Sequence, residues 1–136
     1  MRISGNTSCR IAVCALFAAG CGEAFSPPAG AEPFDPPAAY SDFWIQVQNC
    51  SHLSGDMTRV QWYVVRGTLT FPCAYGACRG LWAAPHNIYL SDAAADDLFA
   101  ENFFTVKHEI LHDLVGRTGH PPVFQQCGLL RTDSLG

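Results

Sequence analysis

The stretch His108-Glu109-Ile110-Leu111-His112 constrains this chain more than any other. Residues four apart on an α-helix lie one above the other, so a helix here puts both imidazoles on one face. The neighbouring residues ask for that helix. Phe103, Val106, Ile110 and Leu114 recur at helical spacing, and Phe104, Leu111 and Val115 widen the apolar stripe. Gly116 follows at once and suits the left-handed position that ends a helix. The pattern predicts an amphipathic helix that stops one turn after His112.

Two imidazoles one turn apart can hold one metal ion. Glu109 then lies beside the ion without binding it, where a general base for a coordinated water belongs. A catalytic zinc site takes three protein ligands and keeps a fourth position open. His120, eight residues beyond His112 and after Gly116 and Gly119, is the expected third ligand. Pro121-Pro122 stiffens the backbone behind it. Asp113, Asp133 and Glu101 are the alternative donors. Asp113 is otherwise read as an acceptor for a ligand histidine or as a solvent-facing acid.

His108, Glu109 and His112 resemble the motif of the zincin metallopeptidases. The resemblance implies zinc on the two histidines, Glu109 as general base and hydrolysis of peptide bonds. It also implies that the strand ahead of the helix, Ile88 to Leu90, forms the sheet edge above the cleft, where a peptide substrate adds as a further strand. His86 and Tyr89 beside the cleft would then touch substrate and steady the oxyanion. A lone histidine ahead of a strand is otherwise a surface or cap residue, and His52 is read as surface. In the metzincin form a glycine and a third histidine follow the second histidine at three and six residues. Here Gly116 and His120 stand at four and eight. The run His120-Pro121-Pro122-Val123-Phe124, followed by Cys127, is similar to a group of small bacterial lipoproteins with the same helix and a following His-Pro.

The N-terminus reads as a targeting segment over residues 1–20. Arg2 and Arg10 make a positive start, and Ile11 to Ala19 is apolar but too short to span a bilayer. Ala18-Ala19-Gly20-Cys21 resembles a lipobox, which implies cleavage before Cys21 and a lipid on its thiol. Ordinary secretory cleavage nearby, giving a secreted or periplasmic protein, is the alternative. Residues 21–40 carry Pro27-Pro28, Pro33 and Pro36-Pro37 and are expected to be an extended tether. The remainder, 41–136, is the folded domain.

Seven cysteines fit an extracytoplasmic place. Setting aside Cys9, Cys14 and Cys21 leaves Cys50, Cys73, Cys78 and Cys127, an even number suited to disulfides. Of three possible pairings, Cys73–Cys78 with Cys50–Cys127 is preferred. A structural zinc on these cysteines is the rival reading.

Half of the 136 residues are apolar (49%), enough for a packed core in one domain. The formal charge is −4, and no basic stripe is present, which argues against nucleic acid as a partner. Val60 to Val65 is the clearest strand, and Thr68 to Phe71 is expected to pair with it as a hairpin. Ser41 to Asn49 reads as a short helix or a first strand. Asp92 to Glu101 reads as a lid turn or as the lead into the metal helix. The expected fold is α+β, a small antiparallel or mixed sheet packed on the metal-binding helix and held by disulfides. The expected function is that of a membrane-anchored zinc metallopeptidase acting on peptides or proteins. The alternative is a surface lipoprotein that binds or scaffolds without turnover, holding zinc structurally or held by disulfides alone.

Overall fold

A computed structural model describes residues 24–98 and 100–131. The expected signal segment, lipidation at Cys21 and the alternative donor Asp133 lie outside these residues. In chain order the elements are β1 (Ala31–Pro33), α1 (Ala39–Ser51), β2 (Gln61–Val65), β3 (Phe71–Cys73), β4 (Gly76–Cys78), β5 (Gly80–Ala83), β6 (Asn87–Ser91), α2 (Asp92–Ala95), α3 (Phe104–Val115) and α4 (Val123–Gln126). Four strands form one mixed sheet in the order β1-β2-β6-β5. β2 and β6 run parallel with Trp62 beside Ile88 and Val64 beside Leu90, and β1 and β5 join antiparallel at the two edges. β3 and β4 pair as a separate hairpin. The fold is α+β, as expected.

Strand alternation sorts the side chains into two layers. Trp62, Val64, Trp82, Ile88 and Leu90 face the helices and meet Tyr40, Trp44, Val106, Ile110, Leu111 and Phe124. Val65, Ala83 and Tyr89 face the other way and meet Phe71 from the hairpin. Tyr40 is fully buried between Trp62 and Phe103, and its hydroxyl donates to the Ala95 carbonyl at 2.7 Å. That bond satisfies the one polar atom such a tyrosine carries into a core.

Three expectations change here, and of the two readings of residues 92–101 the second holds. The hairpin of β2 with residues 68–71 does not form, because β2 is flanked by β1 and β6, and Phe71 pairs instead with Cys78. The tether is not wholly extended chain. Ala31–Pro33 adds to the sheet as β1, and Phe34 packs against the core. The prolines permit this because an edge strand needs only one side of its backbone paired. The strand Ile88 to Leu90 is not an edge, since β6 lies between β2 and β5. The edge strand beside α3 is β5, and β1 is the edge at the other side of the sheet. Residues 92–101 include the short helix α2, capped by the Ser91 hydroxyl on the Ala94 amide. They lead into α3 and do not line the cleft beside His108 and His112.

Both preferred disulfides are present. Cys50, at the end of α1, joins Cys127 just past α4, and Cys73 joins Cys78 across the hairpin. The first closes a separation of 77 residues.

Candidate metal centre

α3 carries the motif as expected, with Val106, Ile110 and Leu111 buried and Gly116 in the left-handed conformation at its end. The Gly116 amide donates to the His112 carbonyl at 2.8 Å and stops the helix there. The turn over 117–119 then returns His120 to the motif. Its Nε2 stands 3.1 Å from His108 Nε2, which is 3.2 Å from His112 Nε2. His108, His112 and His120 thus lie close enough together to hold one metal ion.

The second nitrogen of each helix histidine is occupied. His108 Nδ1–H donates to the Leu129 carbonyl at 2.7 Å, and His112 Nδ1–H donates to the Arg117 carbonyl at 3.1 Å. A carbonyl can only accept, so both neutral rings carry their proton on Nδ1 and turn a bare Nε2 lone pair inward. Burial pushes the His108 imidazole down to about 4 and lowers His112 as well. Protonation is therefore a poor way to relieve two facing lone pairs, and a cation is a good one. The observed spacings approach the roughly 3.3 Å edge of a tetrahedron with zinc–nitrogen bonds of about 2.0 Å. The donor set fits zinc: three imidazoles, two of them oriented by carbonyls.

Glu109 is 5% exposed yet lines the same cleft as the histidines. Burial pushes its carboxyl up to about 8, while a backbone hydrogen bond from Trp82 pulls the other way. Gly80, on β5, makes this approach of strand and helix possible. A Cβ there would stand 2.7 Å from Glu109 Oε1 and 2.6 Å from Thr105 Cγ2. In the sequence Gly80 reads only as the end of a loop ahead of Leu81 and Trp82; once β5 is seen to start there, the glycine marks a close backbone approach. The cleft has a volume of about 550 Å³, within the usual range for a ligand site.

Other expected residues lie elsewhere. Asp113 is buried but does not orient a ligand histidine. It accepts from the Trp82 indole N–H at 2.9 Å and faces His86 Nδ1 at 3.1 Å. His86 is thus turned to Asp113, and it is not among the residues lining the metal cleft. Tyr89 sits on the far face of the sheet, stacked on Tyr63 with ring centroids 4.7 Å apart. The strand period of two sends it there once Ile88 and Leu90 face the helices. Glu101 is held by Arg79 at 2.8 Å and by Arg131, so it is not a third ligand. The residues that sequence reasoning did not single out are Gly80, Trp82, Tyr75 and Thr118, which line the cleft with the motif.

No protein-family model, curated protein or solved structure matches this chain.

Proposed function

We propose that this protein is a zinc-dependent metallopeptidase that works outside the cytoplasm, anchored to a bacterial membrane through lipid on Cys21. The observation that carries the reading is the convergence of three imidazole Nε2 atoms beside a buried carboxyl in one open cleft. His108, His112 and His120 would hold the ion. Zinc bound there supplies Lewis acidity and lowers the pKa of a coordinated water toward neutrality. Glu109 accepts a proton from the attacking water and returns it to the leaving amine. Burial raises its affinity for a proton, which suits the acceptor half of that exchange, and a cation held beside it would favour the carboxylate that does the accepting. The Leu129 and Arg117 carbonyls keep two ligands in the binding tautomer throughout. The outer edge of β5, which no strand covers among the described residues, offers backbone groups along which an extended peptide can lie. Both disulfides support the extracytoplasmic placement, because such bonds persist in oxidising compartments.

The test is zinc content and peptide hydrolysis measured on the parent, Glu109→Gln and His120→Ala. The expected result is one zinc per chain in the parent and in Glu109→Gln, with turnover lost only by the latter, and weakened zinc binding in His120→Ala. Turnover that survives Glu109→Gln would sink the mechanism. Stoichiometric zinc with no hydrolysis of any peptide would leave a non-catalytic zinc-binding surface protein.

A further inference from the structure

The metal cleft does not end at the histidines. A second cleft of about 840 Å³ adjoins it, walled by Phe25, Pro28, Pro72 and Ala84, with Arg117 as the one charged residue among those that line it. Tyr75, Leu81, Trp82 and Thr118 line both clefts, so the two form one continuous surface. Leu81 and Trp82 belong to β5, whose outer edge pairs with no further strand among the described residues. A chain lying on that edge meets the metal centre and the apolar cleft within a few residues.

Tyr75 stands at the junction. It is 81% exposed, more than any other large apolar side chain among the described residues. Yet its support is rigid. It lies in the turn between β3 and β4, the Cys73–Cys78 disulfide closes that hairpin, and buried Phe71 roots the hairpin on the sheet. An aromatic side chain on a backbone braced this way offers contact area with little beyond its own two torsions to order on binding.

We propose that Tyr75 is a specificity-determining residue that grips an extended peptide crossing between the clefts, with a large apolar side chain of that peptide in the second cleft. The inference rests on the metallopeptidase reading for what the neighbouring site does. Phe25, Pro28, Pro72 and Leu81 exclude water around an aromatic or long aliphatic group. Arg117 in the wall disfavours lysine and arginine at the same position by like-charge repulsion.

The probes are blocked hexa-alanine and its variants with a single Phe or Lys at each position. Their affinity is measured by calorimetry on the zinc-loaded Glu109→Gln protein, and their hydrolysis by the parent is followed in parallel. The expected result is one position where Phe raises affinity at least about tenfold over Ala and Lys does not. Tyr75→Ala should abolish that gain, and Tyr75→Phe should keep it. A gain that survives Tyr75→Ala, or equal affinity for every peptide, in a protein whose parent cleaves peptides, overturns this inference and leaves the activity standing. A Tyr75-dependent Phe gain with no cleavage by the parent supports the binding surface and overturns the peptidase reading. Failure of every peptide to bind the zinc-loaded protein overturns the inference.

Discussion

The indole N–H of Trp82 donates to Asp113 Oδ1 at 2.9 Å, and this bond ties the edge strand to the metal helix. Trp82 is thereby tied at two points. Its side chain is held by Asp113, and its backbone hydrogen-bonds Glu109. His86 Nδ1 completes the carboxylate's partners at 3.1 Å. Asp113 is 7% exposed, and a polar group so buried costs stability unless it is hydrogen-bonded, as it is here by Trp82 and His86. Replacing Asp113 with Ala strands the indole N–H and should cost about 2–3 kcal/mol, read as a lower urea midpoint. Zinc stoichiometry should stay at one per chain, because Asp113 touches no ligand histidine. A loss of zinc in a folded Asp113→Ala protein would contradict that separation.

Gly80 lies where strand and helix come too close for a side chain between them. A methyl group there meets Thr105 and Glu109 at under 3 Å, and one of them must move. Gly80→Ala should therefore lower turnover by about a hundredfold, since a displacement near 1 Å at a reacting group can cost that much. Bound zinc should be unchanged, and kcat should carry most of the loss. Full turnover in this variant would contradict the claim that the Gly80 approach sets the position of Glu109.

Acid and base act on the metal-free protein through opposed groups. Burial lowers His108 and His112, so below about 6.5 the unfolded chain binds protons that the folded chain refuses, and stability falls as pH drops. Burial raises Glu109 to about 8, so above 4.5 the folded chain holds a proton that the unfolded chain releases. Stability then falls as pH rises toward 8. The metal-free protein should be most stable on the acid side of neutrality and less stable at pH 8. Zinc should reverse the alkaline loss, because a cation favours both the bare imidazoles and the carboxylate. Thermal melts at several pH values, with zinc and with a chelator, check both signs. A metal-free melting temperature that climbs steadily from pH 6 to 8 would contradict the burial of Glu109.

The Cys50–Cys127 bond has two duties. Its long closed loop is worth roughly 4–5 kcal/mol in the chain-entropy model. Cys127 also lies two residues before Leu129, whose carbonyl holds His108 in its metal-binding tautomer. Changing both cysteines to serine should lower stability by about that amount and weaken zinc binding by about 10- to 100-fold, the usual cost of losing a partner behind a ligand. Cys73 and Cys78 changed together should leave zinc binding alone. Equal zinc affinity in both double variants would separate the Leu129 contact from the metal centre.

Much of the centre was legible because its cues are local. His108 and His112 meet through helical spacing, Gly116 ends the helix by its own backbone freedom, and His120 returns within the following turn. The cysteine pairing was legible by parity and by the short span from Cys73 to Cys78. Asp113 was not legible, because its partners come from β5 and the turn before β6, about 30 residues away. Tyr89 was misplaced for a related reason. A period of two says that Tyr89 opposes Ile88 and Leu90, but not which face meets the helices.

By itself, then, the sequence determined the histidine helix, the three histidines that cluster at it, its end and the α+β class, since each follows from contacts within a few turns of chain. Only the tertiary structure decided that β6 is interior and β5 the edge, that residues 31–33 join the sheet, and that Gly80, Trp82 and Tyr75 surround the metal cleft. Strand order and register are set by pairing between distant segments, where β2 reaches β6 only across the β3–β4 hairpin and β5. No local pattern encodes that choice, because the same alternating strand can lie at an edge or in the middle until its neighbours are in place.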